Sequence, residues 1–167
     1  VTDVEPTILV TKNADPVSIP EGGSGLVDFT VTVLNNSASG ETVTLTQIAD
    51  DVDNDGVDDV FYVAADICDV TVLADGETAT CTFQRTLDTS DAASFSDVAT
   101  GTAEDDEGNE ASDSDDETGT VTDVEPTILV TKNADPVSIP EGGSGLVDFT
   151  VTVLNNSASG ETVTLTQ

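Results

Sequence analysis

Apolar residues alternate with Thr, Ser or Asp at a period of two along most of the chain, and no stretch carries a helical period. The alternation is clearest over 26–34, where Val27, Phe29, Val31 and Val33 share one face and Asp28, Thr30 and Thr32 the other. It recurs over 42–46, with Val43 and Leu45 set between threonines. Further strands are predicted at 7–12, 68–73, 78–86, 95–103 and 110–121. Turn signals separate them, among them Asp15-Pro16, Asn35-Asn36-Ser37, Asp55-Gly56, Asp75-Gly76 and Glu107-Gly108-Asn109. Seven short strands in about 115 residues, free of helix, predict an all-β fold: an immunoglobulin-like β-sandwich.

The pattern also repeats. Residues 1–47 recur letter for letter as 121–167, a period of 120 residues. The repeat places one complete module at 1–124 and the first three strands of the next identical module at 125–167, with Pro126 at the boundary. Strands lacking their sandwich partners would leave backbone groups and an apolar face uncovered, so the sequence reads as an internal window of a tandem array. Nothing in it resembles a basic-then-apolar leader, and no apolar run approaches the roughly 20 residues of a membrane span. Exchange of strands between chains, as in strand-complemented pili, is the alternative. Each full unit already has its own first three strands, however, so no vacancy awaits a donated one.

Charge narrows the function classes. There are 34 Asp and Glu against 3 Lys and Arg, no His, and a net charge of -31. Nucleic acid is excluded as a partner, because phosphate binding needs clustered cations. Without His, the Ser-His-Asp and Cys-His nucleophile arrangements and the His-containing zinc sites are unavailable. Paired carboxylates alone could suggest glycoside hydrolysis, but the few aromatic residues fall mostly at core positions and no aromatic-lined cleft is expected. The chain is therefore not read as an enzyme.

The acids are clustered as well as numerous. Six of the ten residues 50–59 are Asp, and nine of the fourteen residues 104–117 are acidic. Asp51, Asp53 and Asp55 followed by Gly56 reproduce the first half of a calcium loop, with carboxylates at positions one, three and five and a glycine at six. Position twelve falls on Tyr62, which offers no bidentate carboxylate. Two carboxylates about 5 Å apart repel by roughly 3 kcal/mol at an effective dielectric of 20, and several such pairs rival the roughly 5–15 kcal/mol that holds a domain together. A neutralising cation is one resolution. A high-salt habitat, where a halophilic acidic surface stays hydrated and screened, is another, and a solvated acidic face is the plainest.

Strand parity suggests where a cation would sit. The loop after the third strand, 48–66, falls at the same pole as the exit of the last strand. Asp51, Asp53, Asp55 and Asp58 would then meet Asp123 and Glu125 of the linker and the turn 155–161 of the following module. Asp113, Asp115 and Asp116 with Asp3 form a second candidate site. Oxygen ligands in such numbers suit calcium better than magnesium or a transition metal.

Several stretches also carry a family resemblance. ILVTKNADPVSIPEGG, FTVTVLNNS, ETVTLTQIADDV, LADGETATCTF and the acidic run ending in TVTDVEP occur in an order and spacing that resemble the prokaryotic Ig-like repeat of giant tandem-repeat surface proteins, a domain long catalogued as of unknown function. The resemblance spans the whole unit and implies an extracellular or cell-surface stalk, filament or adhesin. The acidic insertion 53–59 departs from it.

Alternation puts Cys68, Val70 and Val72 on one face of their strand and Ala79, Cys81 and Phe83 on one face of the next, so both thiols point to the same side. A plain two-residue turn at Asp75-Gly76 would set Cys81 opposite Val70, so a bridge requires a bulge or a longer turn. Two buried thiols are the alternative to a disulfide, which would contribute about 3 kcal/mol and suits an oxidising exterior. Asn35, repeated as Asn155, opens a glycosylation sequon on an expected exposed turn. The leading functional expectation is a structural module of an extracellular tandem-repeat stalk with calcium-stiffened joints. Its partners are neighbouring identical modules and, in a fibre, other chains. An adhesin repeat that binds a glycan or a cell surface directly is the alternative.

Overall fold

The computed structural model describes residues 4–22, 24–89, 94–158 and 160–166. It divides into two compact units, Val1–Thr122 and Asp123–Gln167. In the first, the chain forms β1 (Ile8–Asp15), β2 (Ser18–Pro20), β3 (Ser24–Asn35), β4 (Val43–Asp51), β5 (Val60–Val63), a single helical turn α1 (Ala64–Ile67), β6 (Val72–Leu73), β7 (Thr78–Asp88), β8 (Ser94–Glu104) and β9 (Glu110–Thr122). One sheet has the order β1-β3-β7. The other has the order β2-β9-β8-β4-β5, with β6 added to β4. The result is an all-β sandwich. The first strand is divided between the layers: β1 pairs antiparallel with β3, and beyond the cis Asp15-Pro16 bond β2 pairs parallel with β9.

Alternation builds the core as the sequence predicts. Val27, Phe29, Val31 and Val33 of β3 are fully buried beside Ala79, Cys81 and Phe83 of β7. Val43, Leu45 and Ile48 of β4 and Ala99 and Ala103 of β8 face them from the second sheet. The odd step from Leu45 to Ile48 is accommodated by a register shift between Leu45 and Gln47, where the extra residue turns Ile48 and Asp50 inward. That irregularity hides the continuation of β4 from a strict period-two reading. The expected loop 48–66 is therefore largely structured: β4 runs to Asp51, β5 pairs with it, and only 52–59 forms a loop.

The expected strand 68–73 is also corrected. Cys68 forms an isolated antiparallel bridge to Cys81 with the disulfide between them, while Val72 and Leu73 pair with β4 in the other sheet. The segment crosses between layers, so Val70 and Val72 are exposed and Leu73 is buried, the reverse of the predicted facing. The crossing supplies the longer connection that a Cys68–Cys81 bridge requires.

The second unit repeats only part of this. β10 (Ile128–Asp135) and β11 (Asp148–Asn155) pair in the register of β1 and β3. The third predicted strand is absent, since residues 161–166 form no strand. In the first unit β4 takes its partners from β5, β6 and β8, and the chain has no second copy of those. Phe149 is correspondingly 59% exposed where its counterpart Phe29 is 0% exposed.

Gly119 lies directly across from Phe95, and a Cβ there would strike the Phe95 ring and approach the Val17 carbonyl to 2.7 Å. Replacement Gly119→Ala is expected to cost about 1–3 kcal/mol through overpacking, read as a lower denaturation midpoint with an unchanged slope. An unchanged midpoint would show that β2 and Phe95 do not close over β9 as described.

Candidate functional site

Both basic residues of the first unit are inside it. Lys12 shares the inward face of β1 with Ile8 and Val10, and Arg85 follows Cys81 and Phe83 along β7. The facing sheet contributes Asp50 from β4 and Asp97 from β8, each 0% exposed. Lys12 Nζ donates to Asp50 Oδ1 at 2.9 Å and ion-pairs with Asp97. Arg85 places Nε and Nη2 on Asp50 Oδ2 at 2.9 and 2.7 Å. Lys12 Nζ lies 4.5 Å from the Phe29 ring centre and 5.5 Å from that of Phe83, and the Arg85 guanidinium lies over Tyr62 and Phe83. Burial pushes the Lys12 amine below its usual value, against the attraction and hydrogen bond of Asp50. This quartet was missed in the sequence, although parity signals three of its members: Lys12, Arg85 and Asp97 fall on inward positions of their strands, whereas Asp50 lies beyond the register shift of β4.

The acidic loop after β4 is a second, separate arrangement. The carboxylate of Asp51, buried at the strand end, accepts the N–H groups of Asp55 and Gly56 at 3.1 and 2.8 Å. Asn54 and Gly56 take the left-handed conformation that folds the loop back. Asp59 Oδ2 accepts the Val52 N–H, and Asp55 Oδ1 accepts the Val57 N–H. Asp51, Asp53 and Asp59 thereby each present an oxygen within 4.8 Å of the others. The nearby Asp55 charge, then local desolvation and the charges of Asp59 and Asp51, raise the carboxyl of the exposed Asp53 above its ordinary value. Asp58 is exposed and outside this group, and Asp59 takes its place. Counting from Asp51, Asp59 is position nine of a calcium loop, the signal that a test of position twelve alone overlooks.

Among the described residues, the carboxylates of Asp113, Asp115 and Asp116 do not form a cluster of the kind seen in the loop. Asp113 and Asp115 accept the N–H groups of Val10 and Lys12 at 2.7 and 2.8 Å, tying β9 to the outer edge of β1. Asp116, one residue on, is exposed and points to the opposite face of the strand. Asp3 lies outside the described residues, and Asp123 begins the second unit. At the far end of the sandwich, Glu41, Asp105 and Glu107 bring oxygens within 4.8 Å of one another, which joins the turn before β4 to the turn before β9.

Asn35 is not on an exposed turn. It is fully buried, its amide donates to the Glu41 and Leu73 carbonyls, and its Oδ1 accepts the Ser37 N–H. A glycan cannot reach that nitrogen in the folded module. Asn155 repeats the bonds to Glu161 and Ser157 but is exposed, because the covering strands are missing from its unit. Phe61 also departs from expectation: it is 59% exposed on β5, beside exposed Val63.

No family model and no curated protein matches the chain. Among solved structures, a crystal structure described as that of an ApaA protein from Bordetella pertussis aligns at 17% identity and a TM-score of 0.48, covering 72% of this chain and 97% of that one. A likeness at that level carries no argument about function.

Asp105 offers a pH test of the far turn. Although burial opposes it, the side-chain amide and N–H of Asn109, with the N–H groups of Gly108 and Glu107, hold its carboxyl below the ordinary 3.8. A depressed carboxyl stabilises the fold above its unfolded value, and that contribution fades as pH falls through the folded one. The stability gap between wild type and Asp105→Ala, measured by urea denaturation, should be constant near neutrality and close below 3.8. A gap unchanged at about pH 2 would contradict this assignment.

Proposed function

We propose that the chain is part of an extracellular tandem array of immunoglobulin-like modules whose work is mechanical spacing, with calcium held by the acidic loop 51–59. The observation that carries this reading is the letter-for-letter recurrence of 47 residues at a period of 120, close to the span of the first compact unit. A sandwich in which the first strand serves both sheets, and in which β3-β7 faces β9-β8-β4, has the strand arrangement expected of an immunoglobulin-like module. The disulfide suits an oxidising exterior. No helix among the described residues is long and apolar enough to cross a membrane.

Calcium is supported by chemistry and spacing. Asp51, Asp53, Asp55 and Asp59 occupy positions one, three, five and nine of a calcium loop, position seven offers the Val57 carbonyl, and Gly56 sits at position six. A divalent cation would offset the repulsion that raises Asp53. Held in the same loop of every repeat, such ions would stiffen the array along its length. The exposed Phe61 and Val63 favour a second reading, an adhesin or bundling contact through β5.

The test is a protein of several modules, imaged by electron microscopy and melted with calcium or with EDTA at moderate salt. Millimolar calcium should straighten the rods and raise the melting temperature by about 5 °C or more. Asp53→Ala with Asp55→Ala should abolish both effects. Identical stiffness and melting in EDTA would leave the acids as a halophilic or solvated surface, and short, isolated or globular particles would remove the filament reading itself.

A further inference from the structure

The mechanical role leaves the chemistry of Lys12 unexplained. Its side chain is fully buried, as are those of Asp50 and Asp97, and Nζ contacts both carboxylates beneath the rings of Phe29 and Phe83. The two acids differ. Asp50 is anchored by Arg85, whereas neither oxygen of Asp97 has a hydrogen-bond partner among the described residues, so its ion pair with Lys12 is all that compensates its burial. A buried carboxylate with so little compensation is among the costliest groups a core can hold. The site thus unites an amine, a dry carboxyl group against it, and a second carboxylate fixed on the same nitrogen.

We propose that Lys12 and Asp97 condense into an intramolecular amide, a covalent cross-link between β1 and β8, with Asp50 carrying the proton. Starting from the ion pair, one ammonium proton passes by way of Asp50 to Asp97, leaving a neutral amine and a carboxylic acid. Nζ attacks Cγ of Asp97 and forms the carbon–nitrogen bond. A second proton leaves nitrogen for Asp50 and is delivered to the departing hydroxyl, which leaves as water. Ammonium and carboxylate are converted to amide and one water, with no oxidant, reductant or co-substrate. Proximity and exclusion of solvent supply the driving conditions, and burial of Lys12 favours the neutral amine that attacks. In the product the amide N–H faces Asp50, which keeps its Arg85 partner, so one buried ion pair is replaced by a neutral bond.

The bond joins an early strand to a late one, so tension on the chain would pass from residue 12 to residue 97 without loading most of the strands between them. This purpose rests on the mechanical reading; the chemistry does not, and its test is independent of calcium. The same chain contains a control. Lys132 occupies the position of Lys12 in the second unit, is exposed beside Phe149, and has no copy of Asp50 or Asp97 in the 167 residues.

Intact mass of the reduced, denatured chain should be lighter than the sequence mass by one water. Proteolysis should yield one branched peptide joining β1 to β8, and amine acylation in denaturant should modify Lys132 but not Lys12. Lys12→Arg and Asp97→Ala should each restore the full mass, and Asp50→Asn should reduce the cross-linked fraction. A folded wild-type chain of full mass overturns the proposal whether or not any variant folds. So does a water lost as a cyclic imide at Asp55-Gly56 or Asp75-Gly76. An undiminished cross-link in Asp50→Asn removes Asp50 from the proton path.

Discussion

Asp50 is the residue on which the sandwich turns. Both cations of the first unit come from the β1-β3-β7 sheet and both of their carboxylates from the facing sheet, so the charges meet only when the two layers close in register. Of the two buried carboxylates, Asp50 is the one bonded to both Lys12 and Arg85. Ions buried this way offer little net stability beyond a well-packed apolar core, but losing one partner leaves its counterpart uncompensated at a cost of about 3–5 kcal/mol. The constraint therefore acts as a specification. Of the ways two alternating sheets could stack, it selects the one that places β4 and β8 over Lys12 and Arg85. The aromatic cluster follows from it, because Phe29, Phe83 and Tyr62 pack around the cations as well as against one another.

The acidity of the remaining surface takes on a different meaning beside that core. Many carboxylates accept backbone N–H groups: Asp51 and Asp59 in the loop after β4, Asp69 and Glu77 around the disulfide segment, Asp105 in the far turn, and Asp113 and Asp115 along the edge of β1. Each bond satisfies a donor at a turn or strand edge that the sheet ladders leave unmatched. Asp113 and Asp115 also cover a row of N–H groups that would otherwise invite another strand. Carboxylates spent on the backbone are held in place by neutral donors, which lessens the repulsion inferred from composition alone. The loop 51–59 is where that compensation is incomplete, as the raised Asp53 carboxyl records.

Much of this was legible in the sequence. Alternation identified the core face of β3. The disulfide followed from shared facing. The failures have specific causes. A bulge at Thr46 broke the alternation that would have extended β4 to Asp50 and Asp51. The segment 68–73 changes sheets in mid-course, so no single parity describes it. Asn35 resembles a surface turn residue, but its amide is consumed inside the fold by the Glu41 and Leu73 carbonyls. The buried quartet is obscured because charged side chains are rarely buried and because the register shift in β4 conceals the inward position of Asp50, although Lys12 and Arg85 keep inward parity.

The central claim is that Asp50 bridges Lys12 and Arg85 between the sheets. Chemical denaturation of Asp50→Leu, compared with the exposed control Asp66→Ala, measures that claim. Asp50→Leu is expected to lose about 3–5 kcal/mol and the control to change by no more than about 0.5 kcal/mol. A loss below about 1 kcal/mol for Asp50→Leu would contradict it, because the carboxylate that bridges the Lys12 nitrogen and the Arg85 guanidinium would then be lost at no more than the cost of an ordinary hydrogen bond.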